Sequence, residues 1–246
     1  MKNIVIIPAR YDSTRFHGKV LAKETGKYLV QHTYERVLSA SSVSSVLIAT
    51  DSELVMTACR QFGGNCVMTG DYHKSGTDRI AQAAANIDAD IIINVQADEP
   101  EIDPADIDML AALMAKNPDV VMGTLVTEIS DPAWMNNPNV VKAVLDSRGR
   151  AIYFSRSPIP FNRAKGCGDT DLAFRHIGIY AYRKDFLLKI TKMPQTPLEK
   201  CESLEQLRVI ENGFSIIAGK VAASPEGIDT QSQYEAFVER IRKNNR

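Results

Sequence analysis

The 246 residues, 44% of them hydrophobic, suffice for one large domain or a main domain with a smaller insert, which excludes disorder as the default. With 29 Lys+Arg against 30 Asp+Glu the net charge is −1, so no global field draws the chain to nucleic acid or an anionic membrane. The four cysteines, Cys59, Cys66, Cys167 and Cys201, lack C-x-x-C spacing and fit buried thiols in a reducing compartment better than a disulfide scaffold.

In chain order, Ile4–Ile7, Val46–Ala49, Asn65–Met68 and Ile91–Val95 are short apolar runs that predict strands. The first is too short for a signal h-region or a membrane span, so a cytoplasmic protein without membrane insertion is expected. Between the runs, Leu54, Val55, Ala58, Cys59 and Phe62 have the spacing of a helix with one buried face, and Leu29, Val30, Val37 and Leu38 follow it less cleanly. This alternation predicts a mostly parallel sheet covered by helices. Polar clusters follow the strands, where open α/β sheets bind ligands: Pro8-Ala9-Arg10, Thr50-Asp51 and Gln96-Ala97-Asp98-Glu99-Pro100.

The second half predicts strands at Val120–Val126, Val140–Leu145, Ala151–Phe154 and Ile177–Tyr182 with few helices between them, hence antiparallel or mixed pairing. Asp146-Ser147-Arg148-Gly149 suits a hairpin loop, and Ser157-Pro158-Ile159-Pro160 with Lys165–Asp171 suits a surface loop. A helix around Ser203–Glu211 is expected to stop at Asn212-Gly213. The last helix carries Tyr234, Phe237, Val238 and Ile241 on one face.

Two features carry chemistry. The loop Pro8 to Lys19 holds Arg10, Arg15 and Lys19 among small residues, which outlines a triphosphate cradle, with a solvated basic loop as the competing reading. It has neither a Walker A pattern nor G-x-G-x-x-G. Asp98 ends a strand buried on both faces, and a carboxylate there calls for a partner or a cation, Mg²⁺ being the natural one. No histidine spacing suggests zinc.

The order P-A-R-x-x-S-T-R-x-x-G-K, followed by His73-Lys74-Ser75-Gly76-Thr77-Asp78-Arg79, Asn94-Val95-Gln96-Ala97-Asp98-Glu99-Pro100, Tyr153-Phe154-Ser155-Arg156, Arg175-His176-Ile177-Gly178-Ile179-Tyr180, Leu204-Glu205-Gln206-Leu207-Arg208 and Gly227-Ile228-Asp229-Thr230, strongly resembles the CMP-KDO synthetases, the 3-deoxy-manno-octulosonate cytidylyltransferases. The likeness covers nearly the whole chain. It implies a Rossmann-like, mostly parallel mixed α/β sheet flanked by helices, of nucleotide-diphospho-sugar transferase type, with a smaller antiparallel dimerisation portion. Residues 1–246 are then one domain, about 1–125 and 210–246 binding nucleotide and about 126–209 serving the sugar and a homodimer.

The resemblance assigns CTP to Pro8, Ala9, Arg10, Ser13, Arg15, Lys19, Ser75, Gly76, Arg79 and Gln96, with Ser75-Gly76-Thr77-Asp78-Arg79 reading cytidine; an ordinary helix N-cap competes there. It adds Asp229 to Asp98 as a second Mg²⁺ ligand, the rival role for Asp229 being a cap on the final helix. Lys19, Asp98 and Asp229 are the expected catalytic residues. The sugar acid falls to Gln96, Arg156, His176, Tyr180, Glu205 and Gln206, Arg156 offering its fork to a carboxylate. The implied reaction is attack of the anomeric hydroxyl on the α-phosphorus of CTP, giving CMP-sugar and pyrophosphate for lipopolysaccharide or capsule. This chain departs from the family at His17, where proline is usual, at Ala97, where glycine is usual, and at Gln231-Ser232-Gln233, which lacks the usual proline and acids. The alternatives are a cytidylyltransferase for 8-amino-KDO, a nonulosonate or another acidic sugar, and a catalytically silent nucleotide-binding paralogue.

Overall fold

The structure, a computed structural model, describes residues 1–13, 16–164, 171–222, 225 and 227–244. Two units emerge, Met1–Asp108 with Pro225–Arg246, and Met109–Ser224.

In the first unit, β1 (Asn3–Ala9) is buried along its whole length, as a Val/Ile run covered on both faces must be. It pairs in parallel with β2 (Ser45–Thr50), Ile4 opposite Ser45. Strand β3 (Cys66–Met68) joins the far edge of β2, and β4 (Ile91–Asn94) pairs in parallel with β1, giving the order β3-β2-β1-β4. Parallel neighbours need crossovers. Helices α1 (Leu29–Leu38), α2 (Glu53–Phe62) and α3 (Gly76–Ala84) supply them.

Helix α2 buries Val55, Ala58 and Cys59 and ends at Gly63 in the left-handed conformation, φ 73°. Leu54, expected on that face, is exposed instead, because it lies about 100° around the helix from Val55. Leu38, at the last position of α1, is likewise exposed. The C-terminal helix, Gln231–Asn244, buries Tyr234, Phe237 and Val238 against Leu29 and Ile228, as its spacing predicts.

The chain enters the second unit within α4 (Pro104–Lys116). There β5 (Met122–Glu128) is central, running antiparallel to β8 (Phe174–Arg183) and parallel to β9 (Ile216–Val221). Strands β6 (Lys142–Leu145) and β7 (Ala151–Ser155) form the predicted hairpin, and β6 also pairs with β8. In its loop Asp146 N–H donates to the Arg150 carbonyl at 2.8 Å, with Gly149 at φ 78°. Short helices α5 (Ala133–Asn136), α6 (Lys184–Ile190), α7 (Pro197–Glu202) and α8 (Gln206–Glu211) complete the unit. The last stops before Gly213, φ 78°, as expected. At Gly123 the sheet packs closely on α4: a Cβ there would lie 2.9 Å from Met114 Sδ and 3.0 Å from Leu110 Cδ1, so a larger residue would displace those side chains.

The architecture is thus the expected mostly parallel α/β fold with antiparallel strands in its second unit. Helices α4, α5, α6 and α7 and strand β9 stand outside the predicted elements. The period of α4 is nonetheless legible in Ile107, Leu110, Ala111 and Met114, all buried. No helix among the described residues is long and apolar enough to cross a membrane.

Candidate active site

Strand β1 delivers the chain at Ala9 into the basic loop, and the loop returns on itself at Gly18. Gly18 sits at φ 66°, its N–H bonds the Tyr11 carbonyl at 3.1 Å, and a Cβ would meet the Tyr11 ring at 3.3 Å, so only glycine closes the loop without strain. The next residue, Lys19, opens a 3-10 turn (Lys19–Leu21) and is buried. A cleft of about 410 Å³ lies here, at the C-terminal ends of β1 and β4, where open α/β sheets bind ligands. Pro8, Arg10, Asp12, Ser13, Lys19, Val20, Lys74, Gly76, Arg79, Gln96, Ala97, Asp98 and Asp229 line it.

The cleft's centre is a charge cluster. Lys19 Nζ donates to Asp98 Oδ2 at 2.5 Å, to Asp229 Oδ1 at 3.1 Å and to the Ile228 carbonyl at 2.9 Å. Ile228 N–H donates to the Asp98 carbonyl at 2.8 Å, which ties the Gly227–Thr230 segment to the end of β4. Two carboxylates far apart in the sequence therefore converge on one positive charge. That donor set fits Mg²⁺, which takes one or two carboxylates and completes its shell with water and phosphate. The rival role for Asp229 goes to Thr230: its Oγ1 accepts from Gln233 N–H at 3.3 Å, while Gln233 Oε1 accepts from Thr230 N–H at 2.9 Å. This reciprocal cap was legible as T-x-x-Q, and Gln233 also receives Asp229 N–H at 2.8 Å.

The other residues predicted for nucleotide divide. Arg10, exposed, reaches the His73 carbonyl with its Nη2 and so ties the first loop to the one before α3. Ser75 caps α3, accepting from Asp78 N–H at 3.1 Å, and Gly76 packs so closely that a Cβ would lie 3.3 Å from Pro8 Cγ. Gln96 borders the cleft, its Nε2 donating to Asn94 Oδ1 at 3.3 Å. Arg79, expected to meet base and phosphates, is fully buried. Its guanidinium donates to Asp51 Oδ2 at 2.5 Å and Thr69 Oγ1 at 2.6 Å. A buried guanidinium needs such a counter-charge, so Arg79 fixes the ends of β2 and α3 while forming part of the cleft wall. Arg15 lies outside the described residues, as do Cys167 and most of the Lys165–Asp171 loop.

Two of the departures from the family pattern gain a local account. Ala97 is buried and its carbonyl accepts from Thr33 Oγ1 at 3.1 Å. Ser203 is the one non-glycine at positive φ among the described residues, so Ala97 adopts a conformation open to any L-residue. His17 is exposed, its ring edge-on to Tyr11 at 5.0 Å and Nδ1 at 3.6 Å from Asp12 Oδ1.

In the second unit, three of the residues predicted for the sugar acid gather. His176 lies in β8 with its ring 5.4 Å from that of Tyr180 and 4.9 Å from that of Phe154. Tyr180 Oη donates to Gln206 Oε1 at 3.2 Å, and Gln206 Nε2 is a buried donor with no hydrogen-bond partner among the described residues. Such an orphan is costly unless a ligand oxygen meets it. Burial pushes the His176 imidazolium down to about 3, so the ring is neutral at physiological pH.

Arg156 is more committed than its expected role requires. Its Nε donates to the Glu202 carbonyl at 2.7 Å, Nη1 to the Pro138 carbonyl at 2.9 Å and Nη2 to the Ser203 carbonyl at 3.4 Å. One N–H of each Nη remains for a ligand. Glu205 lies 3.8 Å from Arg208, whose guanidinium is clamped by buried Glu199 at 2.5 and 2.8 Å. That pair joins α7 to α8 and sets the start of α8, where Gln206 sits. Lys142, which sequence reasoning missed, is fully buried and donates to the carbonyls of Asn137, Val140 and Arg156 at 3.0, 2.7 and 2.5 Å. Its only signal was a lysine inside an apolar strand.

A parallel sheet presenting cationic side chains and paired carboxylates beyond its strand ends is built to handle a nucleoside triphosphate, which is the business of nucleotidyltransferases. A family model described as cytidylyltransferase matches residues 4–217. The 3-deoxy-manno-octulosonate cytidylyltransferase of Geobacter metallireducens is 50% identical over 249 residues, covering 98% of each chain. That of Geotalea daltonii is 48% identical over 250 residues, covering 98% of this chain and 99% of its own. The solved structure of CMP:2-keto-3-deoxy-manno-octonic acid synthetase complexed with CTP superposes with a TM-score of 0.93 at 40% identity, covering 99% of this chain and 100% of that one. The chain belongs to the 3-deoxy-manno-octulosonate cytidylyltransferase (CMP-KDO synthetase) family of nucleotidyltransferase enzymes.

Proposed function

We propose that the protein transfers CMP from CTP to the anomeric hydroxyl of 3-deoxy-D-manno-octulosonate, giving CMP-KDO and pyrophosphate for lipopolysaccharide or capsule synthesis. The observation that carries the reading is the convergence of Asp98 and Asp229 on Lys19 in a cleft bordered by Arg10, Lys74 and Gln96. Relatives at 48–50% identity, named for this sugar acid, support the choice of acceptor.

In this reading Arg10, Ser13 and Lys19, with Arg15 from the same loop, hold the triphosphate, and Ser75 and Gly76 face the nucleoside. Asp98 and Asp229 would hold Mg²⁺, which supplies charge neutralisation at the phosphates and acidifies the attacking hydroxyl when bound. Lys19 adds its ammonium to the charge building on the departing pyrophosphate. Gln206 Nε2, Tyr180 and His176 would read sugar hydroxyls, and the remaining N–H groups of Arg156 the carboxylate. Catalysis of this kind needs positioning and electrostatics, and no covalent enzyme intermediate. A cytoplasmic homodimer completes the reading.

The test is pyrophosphate release from CTP with Mg²⁺ against a panel of KDO, 8-amino-KDO and a nonulosonate. KDO is expected to give the highest kcat/KM. A clear preference for another acid would move the assignment to that sugar, and silence with every acceptor despite CTP binding would overturn it.

A further inference from the structure

Strand pairing in the second unit is broken at one place. Thr124 stands opposite Tyr180 and Leu125 opposite Ile177, so Gly178 and Ile179 are extra residues in β8 and form a bulge. The bulge turns two carbonyls toward the Thr124 hydroxyl, which is fully buried. Thr124 Oγ1 lies 2.8 Å from the Ile179 carbonyl oxygen, 3.2 Å from that of Ile177 and 2.9 Å from His176 Nε2.

The proton count at this oxygen has one good solution. A hydroxyl has a single proton, a carbonyl only accepts, and a neutral imidazole nitrogen can take either role. Were the hydroxyl to donate to Nε2, its lone pairs would face two carbonyl oxygens at short range. Donating to Ile179 instead turns a lone pair to the ring, and Nε2 must then carry the hydrogen.

We propose that Thr124 is a positioning residue that locks His176 as the Nε2–H tautomer, so that Nδ1 is presented to the sugar acid purely as a hydrogen-bond acceptor. The proposal rests on the reading of His176 as part of the acceptor site. The ring has no freedom to escape it by charging, because burial keeps it neutral at working pH. The rings of Phe154 and Tyr180 pack against the imidazole, with centroids 4.9 and 5.4 Å away. An acceptor-only nitrogen attracts a sugar O–H and repels a carboxylate or keto oxygen. It therefore selects which end of the sugar acid occupies this place, a discrimination of the kind that buried polar groups enforce strongly.

The experiment has two arms on the full-length protein. The chain has four histidines, so ¹⁵N-histidine labelling with long-range ¹H–¹⁵N correlation resolves each ring, and the signal missing from His176→Gln assigns this one. The ligand-free wild type is expected to show Nε2–H. An Nδ1–H ring, or fast averaging of the two, would overturn the lock. In the second arm Thr124→Val is expected to raise KM for the sugar acid about tenfold, with kcat and KM for CTP within about twofold of wild type, and Thr124→Ser to restore it. An unchanged sugar-acid KM in Thr124→Val would overturn the proposal. If the valine variant does not fold, the wild-type spectrum and Thr124→Ser decide: loss of the Nε2–H tautomer or of sugar-acid binding in the serine variant counts against it. A wild type with no saturable response to any sugar acid would overturn the substrate role together with the proposed function, while the ligand-free spectrum still judges the tautomer.

Discussion

At the residue scale Asp98, Asp229 and Lys19 form a cluster with one carboxylate in excess: two carboxylates share a single ammonium, which lies within hydrogen-bonding reach of both. Asp98→Asn keeps the shape and removes one of the two carboxylates proposed to hold Mg²⁺. It is expected to leave a folded protein, by circular dichroism, with turnover down at least ~100-fold, the scale of one lost electrostatic stabiliser. Near-normal turnover at saturating Mg²⁺ would sink the metal assignment. Lys19→Met tests the same cluster without any activity readout, because it leaves the two carboxylates facing each other uncompensated. Its melting temperature is expected to fall in chelator and to recover on adding Mg²⁺ by more than the wild type gains, since a ligand that binds only the folded state stabilises it by mass action. At Ala97 the change from the family's glycine needs no left-handed backbone, which weakens the case for a catalytically silent relative.

Helix α8 places Gln206, and a buried ion pair places α8. Glu199 and Arg208 are both nearly inaccessible. Desolvation pushes the Glu199 carboxyl up, but the hydrogen bonds and charge of Arg208, the Thr196 N–H and the Gln195 amide together outweigh it and hold the group below its ordinary value. Arg208→Met strands that carboxylate, and chemical denaturation is expected to report a loss of about 3–5 kcal/mol. The double change Glu199→Met with Arg208→Met is expected to regain most of it, because the desolvation penalty leaves with the charge. A single variant as stable as the wild type would show the pair to be dispensable. The turn of the C-terminal helix is similarly explained by one reciprocal cap, Thr230 with Gln233, where the family usually has proline and acids.

Across the whole molecule, stability against pH has two limbs set by groups the fold holds in neutral form. Burial lowers His176 from 6.5 to about 3, so between those values the unfolded chain binds a proton that the fold refuses. Stability therefore falls as pH drops from 6.5 toward 3. Glu99 is raised from 4.5 to about 8 by desolvation and then by the carboxylates of Asp98 and Asp106, so the fold keeps a proton that the unfolded chain releases. Its contribution falls as pH rises through that window. Melting curves across this range are expected to show a flatter acid limb in His176→Gln and a flatter alkaline limb in Glu99→Gln. Parallel curves for wild type and both variants would remove the two groups from the account.

The amino-acid sequence by itself determined what rests on neighbours along the chain. The parallel strands are apolar runs, Ser75 caps α3 because its hydroxyl reaches Asp78 N–H, and the Asp146–Gly149 loop and Gly213 stop are turn chemistry. The motif blocks identified the family for the same reason, since each is a short contiguous stretch. Only the tertiary structure decided which charges are spent inside the protein and which line the cleft. Arg79 and Lys142 look like any cation in the sequence, yet Asp51, Thr69 and three loop carbonyls consume them, while Lys19 stays between Asp98 and Asp229. The Thr124–His176 contact was equally hidden, because a bulge between two paired strands far apart in the sequence creates it. Pairings between residues so far apart follow from sheet order and register, and neither is written in local spacing.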